Sequence, residues 1–121
     1  MANIAILGAG YIGRIMARTL SMMKENGEDI RLYAVGARDL ARAQAFADET
    51  GFEHACGSYE ELVSDPAIDL VYVATPHSHH AEHMRLCIEA GRPVLCEKAF
   101  TANTRQAREI LSLAEERNVF V

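Results

Sequence analysis

The chain is predicted to fold as an α/β domain, a doubly wound parallel sheet with helices on both faces. Three observations predict it. Short apolar runs suited to strands alternate with helix-period segments along the whole chain. The first run, residues 3–7, leads straight into Gly8-Ala9-Gly10-Tyr11-Ile12-Gly13 and then into a helix pattern. A later run, residues 69–74, is almost continuously apolar, as a strand buried on both faces must be. Right-handed crossovers then give the strand order 3-2-1-4-5, with a sixth strand beginning at Val119-Phe120-Val121 and cut short there.

The elements follow in order. After the glycine turn, residues 11–26 read as a helix with Ile12, Ile15, Met16, Thr19, Leu20 and Met23 on one stripe and Arg14, Arg18 and Lys24 off it. Gly27 is a suitable stop. Residues 30–36 are rich in strand formers. Asp39 is a good N-cap for a helix over residues 40–50, stopped by Gly51. A weak third strand is expected near residues 52–55. Ser58 and Glu61 form a capping box for a short helix, and Asp65-Pro66 marks a turn. Thr75-Pro76 ends the strand at 69–74. A helix then runs to about residue 90 with Met84, Cys87 and Ile88 on one side, punctuated by Gly91 and Pro93. Val94-Leu95-Cys96 reads as a short buried strand. Asn103 and Gln106 form a second capping box, for a helix with Ile110, Leu111, Leu113 and Ala114 inward.

Bulk properties narrow the class. A chain of 121 residues, half of them apolar, is one domain able to bury a real core. A formal charge of −5 argues against a nucleic-acid surface, which needs basic clusters. No apolar run approaches the roughly 18 residues of a membrane span. The first strand follows Met1 at once, so no signal peptide is expected. Cys56, Cys87 and Cys96 are odd in number and lack metal-type spacing, which suits reduced thiols in a cytoplasmic protein.

The glycine motif carries the first chemical expectation. Gly8 lets the chain turn off the strand, Gly10 leaves room for a pyrophosphate, and Gly13 lets the helix lie close to the sheet. The phosphates would rest on free N–H groups at the helix start, around Tyr11 and Ile12, where the helix dipole favours negative charge. The alternative is a glycine turn with a purely structural role. In an open parallel sheet, ligands lie beyond the carboxyl ends of the strands where the order reverses. There residues 8–13, 36–39, 74–77 and Glu97-Lys98 should converge.

The second strand ends Val35-Gly36-Ala37-Arg38-Asp39. NAD sites of this type usually place an acid there for the ribose hydroxyls. Ala37 accepts no such bond, while Arg38 suits a 2′-phosphate and the face of an adenine. NADP is therefore preferred over NAD. Asp39 is read as the helix cap, with ribose binding as its alternative. Arg38 as a solvated side chain is the bland reading.

Residues 92–103, Arg-Pro-Val-Leu-Cys-Glu-Lys-Ala-Phe-Thr-Ala-Asn, complete a larger pattern with Gly8 to Gly13, Ala37-Arg38-Asp39 and Ala74-Thr75-Pro76. The combination resembles the nucleotide-binding half of the glucose-fructose oxidoreductase / inositol dehydrogenase family (Gfo/Idh/MocA), over essentially the whole chain. That resemblance implies a Rossmann fold with Thr75, Pro76, His77 and Glu97 beside the cofactor. Glu97-Lys98 stands at the family's Glu-Lys-Pro signature, although Ala99 replaces the proline. Lys98 would then manage the proton of the group being oxidised or reduced, and Glu97 would orient it or hold the nicotinamide end. A lysine after a buried strand, beside a nicotinamide, is expected to be desolvated enough for acid–base work. A solvated loop lysine is its alternative.

His77, His79, His80 and His83 cluster closely. The spacing of His79 and His83 suits zinc or nickel, but a catalytic site needs a third ligand that the sequence does not identify. The family has Asn or His near the position of His77 and a His at that of His80, which places both beside cofactor or substrate, with His80 joining Lys98 as a catalytic candidate. Surface histidines without a role are the other reading. The resemblance also implies a second, mostly β domain that supplies the substrate pocket and any homo-oligomer interface, and the chain stops before it. The leading expectation is thus the NADP-binding half of an oxidoreductase acting on a small molecule, a sugar, polyol or dihydrodiol. A nucleotide-binding module without catalysis and a metal-binding protein are the alternatives.

Overall fold

The structure, a computed structural model, describes all residues from Met1 to Val121. Five parallel strands form one sheet: β1 (Ala2–Leu7), β2 (Ile30–Gly36), β3 (His54–Cys56), β4 (Leu70–Val73) and β5 (Val94–Cys96). Their order is β3-β2-β1-β4-β5, as predicted, so the sheet reverses direction of travel between β1 and β4. The helices are α1 (Tyr11–Glu25), α2 (Leu40–Thr50), α3 (Tyr59–Val63), α4 (His80–Glu89) and α5 (Thr104–Arg117). A 3-10 turn over His77–His79 leads into α4. No helix is long and apolar enough to cross a membrane.

Each face of the sheet has its own core. On one side Ile4, Ile6, Leu32, Val35 and Tyr72 pack against Ala17 and Leu20 of α1 and Ala43 and Phe46 of α2. On the other, Ala5, Leu7, Val71, Val73 and Val94 meet Leu62 of α3, Met84, Cys87 and Ile88 of α4, and Ile110 and Ala114 of α5. A side chain such as Phe46, entirely removed from solvent, stabilises the fold by about 1.5–3 kcal/mol. Three caps act as predicted. Asp39 Oδ1 accepts the Ala41 N–H at 2.8 Å, Ser58 Oγ that of Glu61 at 3.1 Å, and Asn103 Oδ1 that of Gln106 at 2.9 Å.

The structure departs from the sequence reading in a few places. The buried stripe of α1 is Gly13, Ala17 and Leu20; Ile12, Ile15 and Met23 are exposed. Close approach to the sheet selects small residues there, and an apolar periodicity does not reveal which flank touches it. Leu111 is exposed, because α5 turns only Ile110 and Ala114 fully inward. Leu95 is half exposed, so β5 is an edge strand whose second face no helix covers. Residues 119–121 form no strand. The Phe120 carbonyl accepts the Val94 N–H at 2.9 Å, a single bond alongside β5 where a ladder needs several.

Candidate dinucleotide site

Backbone pairing runs past the strand ends and draws the predicted loops together. Gly8 N–H donates to Gly36 O and Ala74 N–H to Leu7 O, each at 2.9 Å, and Glu97 N–H donates to Val73 O at 3.2 Å. Above these ends lies a cleft of about 470 Å³, within the usual range for small-molecule sites. Gly8, Gly10, Tyr11, Ile12, Ala37, Arg38, Thr75, Pro76, His77 and Glu97 all line it. Every predicted cofactor-contact residue is therefore at the cleft except Gly13, which sits beneath it.

The glycines behave differently from one another, as the motif requires. Gly8 has φ +116°, a backbone conformation that L side chains rarely adopt, and a Cβ there would stand 3.0 Å from the Ala74 carbonyl carbon. A Cβ on Gly13 would lie 2.5 Å from the Gly8 carbonyl oxygen, so this position sets how closely α1 meets the β1 turn. A Cβ on Gly10 would meet nothing within 4 Å. It would project beside the start of α1, the face a pyrophosphate needs clear. Asp39, Ser58 and Asn103 cap α2, α3 and α5, but Gly10 gives α1 no side-chain cap, and no acid sits in its first turn. The orphan N–H groups there suit an anion. The residues present fit a dinucleotide.

At the β2 end, Arg38 is exposed and lines the cleft together with Arg42 of α2. The Arg38 guanidinium donates to His79 Nε2 at 3.5 Å, and His79 Nδ1 lies 3.7 Å from Glu82 Oε2. His79 stacks on His83, whose ring meets Tyr59 edge-on at 4.6 Å. His83 is buried and shares a 2.7 Å hydrogen bond with Thr75 Oγ1. Burial pushes the His83 imidazole below its ordinary pKa. Arg42, Tyr59, His79 and His83 were not among the expected contacts. Arg42 had a signal, since it follows Arg38 by one turn across an N-cap; Tyr59 reaches the cleft only through the placement of α3. No group of three or more His, Cys, Asp or Glu side chains is arranged to hold a metal ion.

The β5 end differs from expectation in two respects. His80 is wholly buried. Its Nδ1 lies 2.6 Å from the Ala99 carbonyl oxygen and Nε2 2.8 Å from that of Thr75. Both ring nitrogens lie against backbone carbonyls and the ring does not line the cleft, so His80 stands between two loops where the sequence led to the expectation of a catalytic contact. Lys98 is exposed, because it follows an edge strand that no helix covers, and this chain alone does not desolvate it. Glu97 reaches the cleft with its carboxylate held by Tyr72 O–H on Oε2 and by the Lys98 N–H at 3.2 Å on Oε1. These bonds, the tyrosine's first, hold the Glu97 carboxyl below the usual carboxylate range.

Known proteins are similar to this chain in sequence and fold. The chain is 39% identical over 116 residues to trans-1,2-dihydrobenzene-1,2-diol dehydrogenase of Mus musculus, covering 96% of this chain and 34% of that enzyme. It is 55% identical over 65 residues to D-xylose 1-dehydrogenase (NADP(+)) of Hypocrea jecorina, covering 54% of this chain and 17% of that enzyme. An NAD binding oxidoreductase from Klebsiella pneumoniae superposes with a TM-score of 0.87 at 33% identity, over 98% of this chain and 32% of that one. The chain thus spans about a third of the mouse enzyme's length. A family model for the oxidoreductase family, NAD-binding Rossmann fold (GFO_IDH_MocA), matches residues 2–121, and with the fold and cleft described above it places this chain in that family.

Proposed function

We propose that this domain binds NADP(H), in preference to NAD(H), as the cofactor half of an oxidoreductase that moves a hydride between the nicotinamide and a sugar, polyol or dihydrodiol. The observation that carries the reading is one cleft with three differentiated ends: the uncapped start of α1, the guanidinium pair Arg38 and Arg42, and Glu97 beside Lys98. The start of α1 would take the pyrophosphate. Arg38 and Arg42 would meet a 2′-phosphate, for which two planar donors suit better than a ribose hydroxyl. The bound cofactor supplies the hydride acceptor or donor. Lys98 would hold and release the proton of the reacting hydroxyl or carbonyl, with Thr75, Pro76 and His77 bounding the cleft between the phosphates and the reacting end. Support for the substrate class comes from the names of the mouse and Hypocrea jecorina relatives, a dihydrodiol and a xylose dehydrogenase, the second specified for NADP(+).

The exposure of Lys98 favours a second reading for these 121 residues taken alone, a nucleotide-binding module without turnover. The substrate pocket, and any contact between copies of the protein, would come from residues outside this span. Calorimetric titration of the chain with NADP and with NAD tests the proposal: tighter NADP binding is expected, and absence of binding to either removes it.

A further inference from the structure

Strand β4 reaches the loop that carries Lys98 through one backbone bond, Glu97 N–H to Val73 O, and one side-chain hydroxyl, that of Tyr72. In the parallel register of β4 with β5, Tyr72 pairs with Leu95, so Tyr72 and Glu97 project on the same face of the sheet, one step apart along the strands. The Tyr72 ring is buried against the α1 and α2 side of the core. Only its O–H leaves that core, and it donates to Glu97 Oε2. The other carboxylate oxygen accepts the Lys98 N–H at 3.2 Å. Both oxygens of a cleft-lining carboxylate are thus committed to the protein, one to a rigid strand and one to the peptide that starts the Lys98 loop.

We propose that Tyr72 is a positioning residue: its hydroxyl fixes the Glu97 carboxylate, and through the Lys98 amide sets where Lys98 stands at the reacting end of the cleft. The inference rests on the proposed role of Lys98 but concerns a different residue, one that does not line the cleft. The sequence shows Tyr72 only as one apolar-run residue of a buried strand. Its geometry explains why a polar atom is kept there: a buried hydroxyl needs a partner, and a charged partner makes the stronger bond. Burial, then the bond to Glu97, push the Tyr72 hydroxyl well above the usual tyrosine range, so it remains a donor at neutral pH.

Tyr72→Phe removes the one oxygen and keeps the ring, so the core is preserved. In this chain, carboxyl NMR is expected to show Glu97 titrating at higher pH in the variant, and Lys98 amide exchange is expected to quicken about tenfold, the size of one hydrogen bond to a charged group. NADP affinity is expected to stay within about twofold, because the phosphate ends of the cleft are untouched. In the protein that carries the substrate-binding part, kcat is expected to fall about tenfold with little change in KM, and the loss is expected to vanish when Glu97 is already Gln. Unchanged Glu97 titration and Lys98 exchange overturn the proposal. So does a parallel loss of thermal stability and NADP affinity, which marks a merely structural tyrosine. Lys98→Met measured alongside separates the two ideas: normal turnover there removes the role of Lys98, whereas lost turnover with an unaffected Tyr72→Phe removes only the role of Tyr72.

Discussion

Asp39 Oδ1 accepts the Ala41 N–H at 2.8 Å, which commits the carboxylate beside Arg38 to the start of α2. Asp39 does not line the cleft, whereas Arg38 and Arg42, on either side of it in the chain, do. This relationship supports the proposed preference for NADP.

Arg38→Ala is expected to remove most of the NADP preference while changing NAD affinity little. A charge-assisted hydrogen bond contributes about 1.5–3 kcal/mol, roughly ten- to a hundredfold in affinity. Arg42→Ala should cost less and add to the first loss. Paired titrations of each variant with both cofactors check this, and equal NADP and NAD affinities in the unmutated chain would return Asp39 to the ribose.

Gly10→Val should abolish cofactor binding in a folded domain. A Cβ at this position would meet no protein atom within 4 Å, so the fold has room for the branch while the space a pyrophosphate would take is filled. Circular dichroism with calorimetry distinguishes this from simple unfolding. Gly13→Val is the contrasting case: its Cβ would stand 2.5 Å from the Gly8 carbonyl oxygen, and the folded state itself should suffer.

Lys98→Met in the protein that includes the substrate-binding part is expected to lower turnover by on the order of 10²–10⁴ with NADP affinity nearly intact. Lys98 lies off the cleft lining, next to Glu97, whereas Gly10, Arg38 and Arg42 line it. Steady-state rates with binding measured in parallel decide it. The 121-residue chain is expected to bind cofactor without turnover.

His83 gives the domain a pH dependence of definite sign. Burial holds its native pKa below the unfolded value, so the unfolded chain takes up a proton that the native chain resists. The stability is present in full above the ordinary histidine range and is lost as pH falls through that range toward the lower native value. Urea unfolding at about pH 7.5 and about pH 5.5 should show the midpoint falling with acid. The fall should be smaller in His83→Gln, and an equal fall in both proteins would assign the effect to the other histidines.

Much of this was legible in the amino-acid sequence because it depends on local rules. The alternation of strand and helix patterns determined the doubly wound sheet and its order. Gly8 to Gly13 marked the turn from β1 into α1, and Asp39, Ser58 and Asn103 identified helix starts, since caps and tight turns are decided by neighbours a few residues away. What only the tertiary structure decided concerns contacts between segments distant in the chain. Ala17 rather than Ile15 faces the sheet because the Gly13 contact brings α1 close. Leu95 is half exposed because β5 lies at an edge. His80 reads in sequence as a site histidine, yet two carbonyls, of Thr75 and Ala99, enclose it. Arg42, Tyr59 and His83 come to the cleft from separate elements, and the Tyr72–Glu97 bond depends on the register of two parallel strands. Periodicity states that a side chain belongs to a face; which atoms meet it there is set by how the faces pack.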